Sequence, residues 1–101
     1  MAGKNAGVTI THEDGGESGR YVALVEGSEH TGHLDWVARG EGVRVATHTI
    51  VPPPIGGRGV AASLVEALVE DARTQGFRIA PACSYVEVAF QRHPEWAELR
   101  A

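Results

Sequence analysis

The chain has little of what several large classes of protein require. Its 101 residues contain one cysteine, Cys83, so no intrachain disulfide can form and a cysteine-rich zinc site is excluded. No apolar run approaches the roughly 20 residues of a membrane span, and no membrane partner is expected. The nine lysines and arginines are scattered and the formal net charge is −4, so the clustered cations of a nucleic-acid-binding surface are missing. Met1–Gly7 has Lys4 but no apolar stretch behind it, which argues against a secretory signal and for a loose tail. A lone thiol and no targeting segment fit a cytoplasmic protein.

What is present divides at three consecutive prolines. Before them, short β-branched runs alternate with turn clusters about every ten residues: strands are expected at Val8–His12, Tyr21–Glu26, His33–Ala38 and Val43–Val51. Strict alternation would put Leu34, Trp36 and Ala38 on one face of the third strand. It would put Val43, Val45, Thr47, Thr49 and Val51 on one face of the fourth, with His48 on the other. Pro52-Pro53-Pro54 ends that strand, because three residues without N–H cannot continue a ladder.

After the prolines the period changes. Apolar residues at 60, 61, 64, 65, 68, 69 and 72 form a helical stripe that Gly76 can cap. Phe77–Ala80 reads as a short strand stopped by Pro81. Ser84 is a candidate cap for a second helix from Tyr85, with Glu87 as its capping-box partner. The expected fold is α/β (α+β): a mostly antiparallel sheet of about five strands, one parallel crossover and two main helices, in a single domain over residues 8–101.

The turn Gly56-Gly57-Arg58-Gly59-Val60-Ala61 lies between a strand and a helix. The first turn of a helix has N–H groups without intrahelical partners, and its dipole favours an anion. Glycines let the backbone approach a phosphate closely, and Arg58 adds a cation. No Gly-Lys-Ser/Thr and no Gly-x-Gly-x-x-Gly is present, so neither a P-loop nor a dinucleotide fingerprint is at hand. A simple flexible connection is the alternative.

The segment from Val51 to Val65 resembles the acyl-CoA signature of the GNAT N-acetyltransferase superfamily, Arg/Gln-x-x-Gly-x-Gly/Ala at a strand-to-helix turn. Gly59 and Ala61 match it, while Gly56 stands at the Arg/Gln position and so lacks that side-chain contact to phosphate. Four elements in order are similar to those of short, single-domain GNAT-like proteins: His48-Thr49, the glycine-rich turn, Pro81-Ala82-Cys83-Ser84-Tyr85, and Arg92-His93-Pro94. The resemblance implies acetyl-CoA as cosubstrate. Its pantetheine would lie along Thr49, Ile50 and Val51, and its pyrophosphate on Gly56, Gly57, Arg58, Gly59, Val60, Ala61, Ala62 and Ser63. It also implies an acetyl transfer to an amine of a small molecule or protein. The rival reading is a non-catalytic module that binds acyl-CoA or a protein.

Three residues are candidates for the chemistry. Cys83 precedes a helix N-terminus, a location that favours a thiolate able to carry the acetyl group; a small buried hydrophobe is the other reading. Tyr85 resembles the GNAT tyrosine that protonates the departing thiolate, against a half-buried packing aromatic. His48 is a candidate base, against a structural histidine. Arg92 and His93 are placed to meet the CoA 3′-phosphate or to end a solvated helix. His30 and His33 fall on opposite faces of a strand, and no metal site is expected. GNAT domains ordinarily have one or two helices between their first two long strands, whereas Asp14–Gly19 leaves room only for a turn. The acceptor site should be open, or completed by a second copy or a partner protein.

Overall fold

The computed structural model describes residues 7–101. Of the expected tail at 1–7, all but Gly7 lies outside the described residues. A five-stranded sheet runs in the order β1 (Val8–Asp14), β2 (Ser18–Val25), β3 (Thr31–Ala38), β4 (Val43–Ile50), β5 (Arg78–Pro81). The first four strands are antiparallel neighbours, and β5 joins β4 in parallel through α1 (Val60–Gln75). Next come α2 (Ser84–Arg92) and a 3-10 turn over Pro94–Leu99. The mixed sheet, the single parallel crossover and the two helices agree with the sequence pattern. Among the described residues no helix is long and apolar enough to cross a membrane.

The strand boundaries differ in one systematic way. β1 and β2 extend into the expected turn, pairing Asp14 with Gly19, and β3 starts at Thr31 rather than His33. Polar residues occupy these extensions because only one face of the sheet is covered. Among the described residues, those on the helix side (Tyr21, Ala23, Leu34, Trp36, Ala46) are buried. On the other side Leu24, Val37 and Ile50 are exposed, with no helix above them. Ala38 is also exposed, although it shares a face with Leu34 and Trp36, because it ends the strand beyond the core.

α1 buries Val60, Leu64, Val65, Leu68, Val69 and Ala72 on the sheet, together with Ser63 and Ala67. Full burial of each large apolar side chain contributes about 1.5–3 kcal/mol. A buried glycine, Gly32 on β3, sets how closely α1 starts against the sheet. A Cβ there would lie 2.9 Å from Val60 Cγ1. Pro53–Ile55 form a one-turn 3-10 helix that drops Ile55 into the core and turns the chain toward α1.

At the other end of α1 a polar network ties the sheet to the helix. The Tyr21 hydroxyl donates to Asp71 Oδ2 (2.6 Å), and Trp36 Nε1–H donates to His12 Nε2 (3.0 Å). His12 stacks flat on Tyr21, with centroids 3.9 Å apart.

Candidate active site

The strict alternation expected for β4 fails at one residue. Trp36 pairs with Ala46 and Asp35 pairs with His48, so Thr47 is the extra residue of a β-bulge. Its hydroxyl donates to the carbonyl of Asp35 (3.2 Å). Without the bulge His48 would oppose Leu34 on the helix face. With it, His48 opposes Asp35 on the uncovered face, and Thr49 opposes Leu34 on the helix face. The expected single face from Val43 to Val51 is therefore split, and Thr47 does not share a side with Thr49 in a regular ladder.

β4 and β5 pair only from Val43 to Ala46, and the last bond across them runs from Ala82 N–H to the carbonyl of Ala46 (3.0 Å). Beyond that point His48–Ile50 pair with β3 alone. The edge that faced β5 is left without a strand partner, which is the arrangement a strand-like pantetheine needs.

Cys83 sits in the gap. It is the N-cap residue of α2, and its thiol donates to Thr49 Oγ1 (3.5 Å); once ionised, the sulfur can accept from the same hydroxyl. Burial pushes this thiol up. Hydrogen bonding from the Thr49 hydroxyl and from the N–H groups of Val86, Tyr85 and Thr49 outweighs burial, and the net effect holds the thiol below its ordinary value. No cap hydrogen bond of full geometry reaches the sulfur. The N–H groups of Tyr85 and Val86 are nonetheless the second and third of the helix, the pair an N-cap acceptor ordinarily satisfies. The expected Ser84 cap is replaced by this arrangement, since Ser84 is already helical. Glu87 does not complete a capping box either: its carboxylate accepts from Arg100 (2.6 Å) and Gln91 (3.1 Å).

The glycine-rich turn leads straight into α1. Gly57 (φ +76°) and Gly59 (φ +75°) both occupy the left-handed region, where glycine carries no steric penalty. Gly59 is the N-cap of α1, and the first turn of the helix holds no acidic residue. The N–H groups of Val60, Ala61 and Ala62 thus end the helix facing outward, as an anion site requires. Ser63, expected to be part of the turn, is fully buried instead, with its N–H bonded to the carbonyl of Gly59 (3.0 Å). Arg58 is exposed. Its Nη2 lies near the start of β1, 3.7 Å from the position a Gly7 Cβ would take, rather than folded over the turn.

A groove of about 150 Å³ runs between α1 and α2. Ala62, Val65 and Glu66 form one wall, and Tyr85, Val88, Ala89 and Arg92 the other, with His93 and Trp96 at its end. Tyr85 is 43% exposed and belongs to this groove, as do Arg92 and His93. Sequence reasoning did not find Val65, Val88, Ala89 or Trp96 as groove residues, because an apolar helix stripe gives the same signal whether it faces core or cleft. His93 stacks on Trp96 (centroids 4.0 Å apart) and bonds Glu95 Oε2 through Nδ1 (2.9 Å).

The structure therefore brings Cys83, Thr49 and the free edge of β4 together. It places Tyr85 and Arg92 in the neighbouring groove and sets His48 on the opposite face of the sheet from Cys83. His30 lies in the loop before β3, not on a strand face. Among the described residues no group of three or more histidine, cysteine or acidic side chains could hold a metal ion.

A parallel splay, a glycine-rich turn opening a helix, and a groove between the two helices that follow define an acyltransferase-type domain. The family model of the GCN5-related N-acetyl-transferases matches residues 20–99, and the chain belongs to that family. No curated protein matches it.

Proposed function

We propose that the chain transfers an acetyl group from acetyl-CoA to an amine. The observation that carries this reading is the Cys83 thiol, held below its ordinary value 3.5 Å from Thr49, at the point where β4 leaves β5. The family match supports acyl transfer in general.

In that reading the pyrophosphate rests on the N–H groups from Gly57 to Ala62, and the pantetheine lines the edge of Thr49, Ile50 and Val51. Gly56 contributes backbone alone. The two faces of the sheet then divide the work. The thioester reaches Cys83 from the helix side, and the acceptor approaches from the uncovered side, where His48 lies.

An acceptor ammonium gives one proton to the neutral imidazole of His48. The free amine forms the C–N bond, the C–S bond breaks, and the leaving sulfur keeps the electron pair. Tyr85 protonates that sulfur and regains a proton from the amide nitrogen as the tetrahedral adduct collapses. In the covalent variant Cys83 thiolate attacks first. CoA leaves, and the amine then attacks acetyl-Cys83. The lowered thiol favours this second route.

Incubation with acetyl-CoA and an amine, peptide and polyamine panel, with detection of free CoA thiol, tests the reading. Intact-mass analysis without acceptor should show one added acetyl group that Cys83→Ala abolishes. If acetyl-CoA perturbs the amides of residues 49–63 but no amine is acetylated, the chain is a binding module. Full turnover by Cys83→Ala eliminates the covalent route and leaves the direct one.

A further inference from the structure

The two edges of the sheet are finished differently. At the β5 edge, Arg100 bridges to Ile79, and Ala101 N–H donates to the carbonyl of Ile79 (2.8 Å). At the β1 edge, among the described residues, nothing pairs with the outer side of the strand. Its free groups follow from the ladder. The carbonyl of Gly7 accepts from Glu26 N–H (2.7 Å), and Gly15 N–H donates to the carbonyl of Ser18 (2.9 Å). Bonding alternates along an antiparallel strand, so Thr9, Thr11 and Glu13 bond to β2. Val8, Ile10, His12 and Asp14 direct their N–H and C=O groups outward. Natural sheets commonly blunt such an edge with lysine, proline or a bulge, and β1 has none of these.

We propose that β1 pairs antiparallel with β1 of a second copy of this chain, about a two-fold axis through Thr11, so that two sheets become one. In this register Val8 lies opposite the partner's Asp14, and Ile10 opposite the partner's His12. Every outward N–H and C=O of β1 then has a counterpart, and Thr11 faces its own equivalent. A slip of one residue would set outward groups against inward ones. A slip of two would leave Val8 or Asp14 opposite a residue outside β1.

Charge favours a second copy as the occupant. Glu13 and Asp14 make one end of β1 acidic. Arg58 lies at the other end, with Nη2 3.7 Å from the position a Gly7 Cβ would take, and Glu26 lies beside the same position. Among the described residues Arg58 forms no ion pair. The antiparallel pairing brings the acidic end of each copy alongside the other's Arg58, twice by symmetry. A parallel pairing would set the two acidic ends against each other. This chain carries both halves of the complement, which an arbitrary extended peptide does not. One strand-long seam is small beside the roughly 1,200–2,000 Å² of a standard interface, so the pair should be weak and concentration-dependent.

Sedimentation velocity of the full chain, from micromolar to millimolar loading, should show a monomer–dimer equilibrium. Thr11→Lys sets like charges across the axis at an exposed position and should weaken it about tenfold or more. Arg58→Glu should weaken it about tenfold, and adding Glu13→Lys should restore part of the loss. Cysteine pairs read the register. In a Cys83→Ser background, Thr11→Cys should cross-link two copies on mild oxidation. Thr9→Cys should not, because the two copies of that residue are offset by four positions, about 13 Å along the strand.

A monomer throughout the concentration range overturns the proposal, and wild-type sedimentation decides this whatever a variant does to folding. A dimer that Thr11→Lys leaves at full strength also overturns it, as does cross-linking through Thr9 in place of Thr11. None of these readouts uses acetyl-CoA, so the pairing stands or falls apart from the acetyl-transfer reading.

Discussion

The hydroxyl of Thr47 donates to the backbone carbonyl of Asp35 across the β3–β4 ladder, at 3.2 Å. This bond closes the bulge that sends His48 to one face of the sheet and Thr49 to the other. In the proposed reaction these two side chains, consecutive in sequence, would face different reactants.

Thr47→Val keeps the β-branched shape and removes the bond. A single neutral hydrogen bond contributes about 1 kcal/mol, so the urea midpoint should fall modestly. Turnover should fall further than the stability loss alone accounts for, because a relaxed bulge misplaces His48. Wild-type turnover with a lowered midpoint would show that the bulge survives without its threonine.

The thiol of Cys83 should react with alkylating reagents at a pH below that of an ordinary cysteine, since thiolate is the reactive form. Burial opposes this, and the hydrogen bonds of Thr49, Val86 and Tyr85 override burial. Thr49→Val removes one of those donors. The pH midpoint of iodoacetamide labelling should therefore rise in that variant, while the amide spectrum stays native. A midpoint unchanged from wild type would assign the lowered thiol to the helix N–H groups alone.

Most of the architecture was legible in the sequence. The change of period at Pro52–Pro54 separated the meander from the crossover helix, and Gly76 capped that helix where expected (φ +82°). What sequence alternation could not show was a single inserted residue. A bulge leaves composition and periodicity nearly unchanged, yet it inverts the face of everything after it. The capping of α2 was misassigned for a related reason. Ser84 has the better propensity, but the parting of β5 from β4 places Cys83 at the N-cap. Gly32 carried a signal that went unused: a glycine inside a strand marks close approach of another element.

Stability should decline as pH falls below about 6.5, before the carboxylates protonate, and His12 is the cause. Desolvation by burial lowers its pKa, with Arg44 adding to that, while Asp71 and Asp14 oppose it. The Nε2 atom accepts from Trp36 and so must be unprotonated in the fold. A histidine whose folded pKa lies below its unfolded value stabilises the fold fully above the unfolded value, and loses that contribution as pH falls from there toward the folded one. The lowered carboxylates of Asp35, Glu87 and Glu95 act in a separate, more acidic window. Chemical denaturation at pH 7.5 and 5.5 should show the loss in wild type. It should be much smaller in His12→Gln, which starts less stable at the higher pH. An equal pH dependence in both would assign the loss to other groups.

Gly32→Ala tests whether the closeness of α1 to the sheet matters for cofactor binding. The new Cβ would lie 2.9 Å from Val60 Cγ1 and 3.3 Å from the carbonyl oxygen of Ile50. Val60 is the first residue of α1, and Ile50 ends the free edge of β4. Overpacking of this kind costs about 1–3 kcal/mol of stability. The strain falls on the two elements that the proposed site uses for pyrophosphate and pantetheine, so acetyl-CoA affinity measured by calorimetry should drop with it. Gly57→Ala separates the two effects. Its Cβ would meet nothing within 4 Å, but its φ of +76° is left-handed, at a cost of about 1–2 kcal/mol. Loss of affinity in Gly57→Ala alone would place the determinant in the shape of the turn. Loss in both would place it in the joint seating of turn, helix and strand edge.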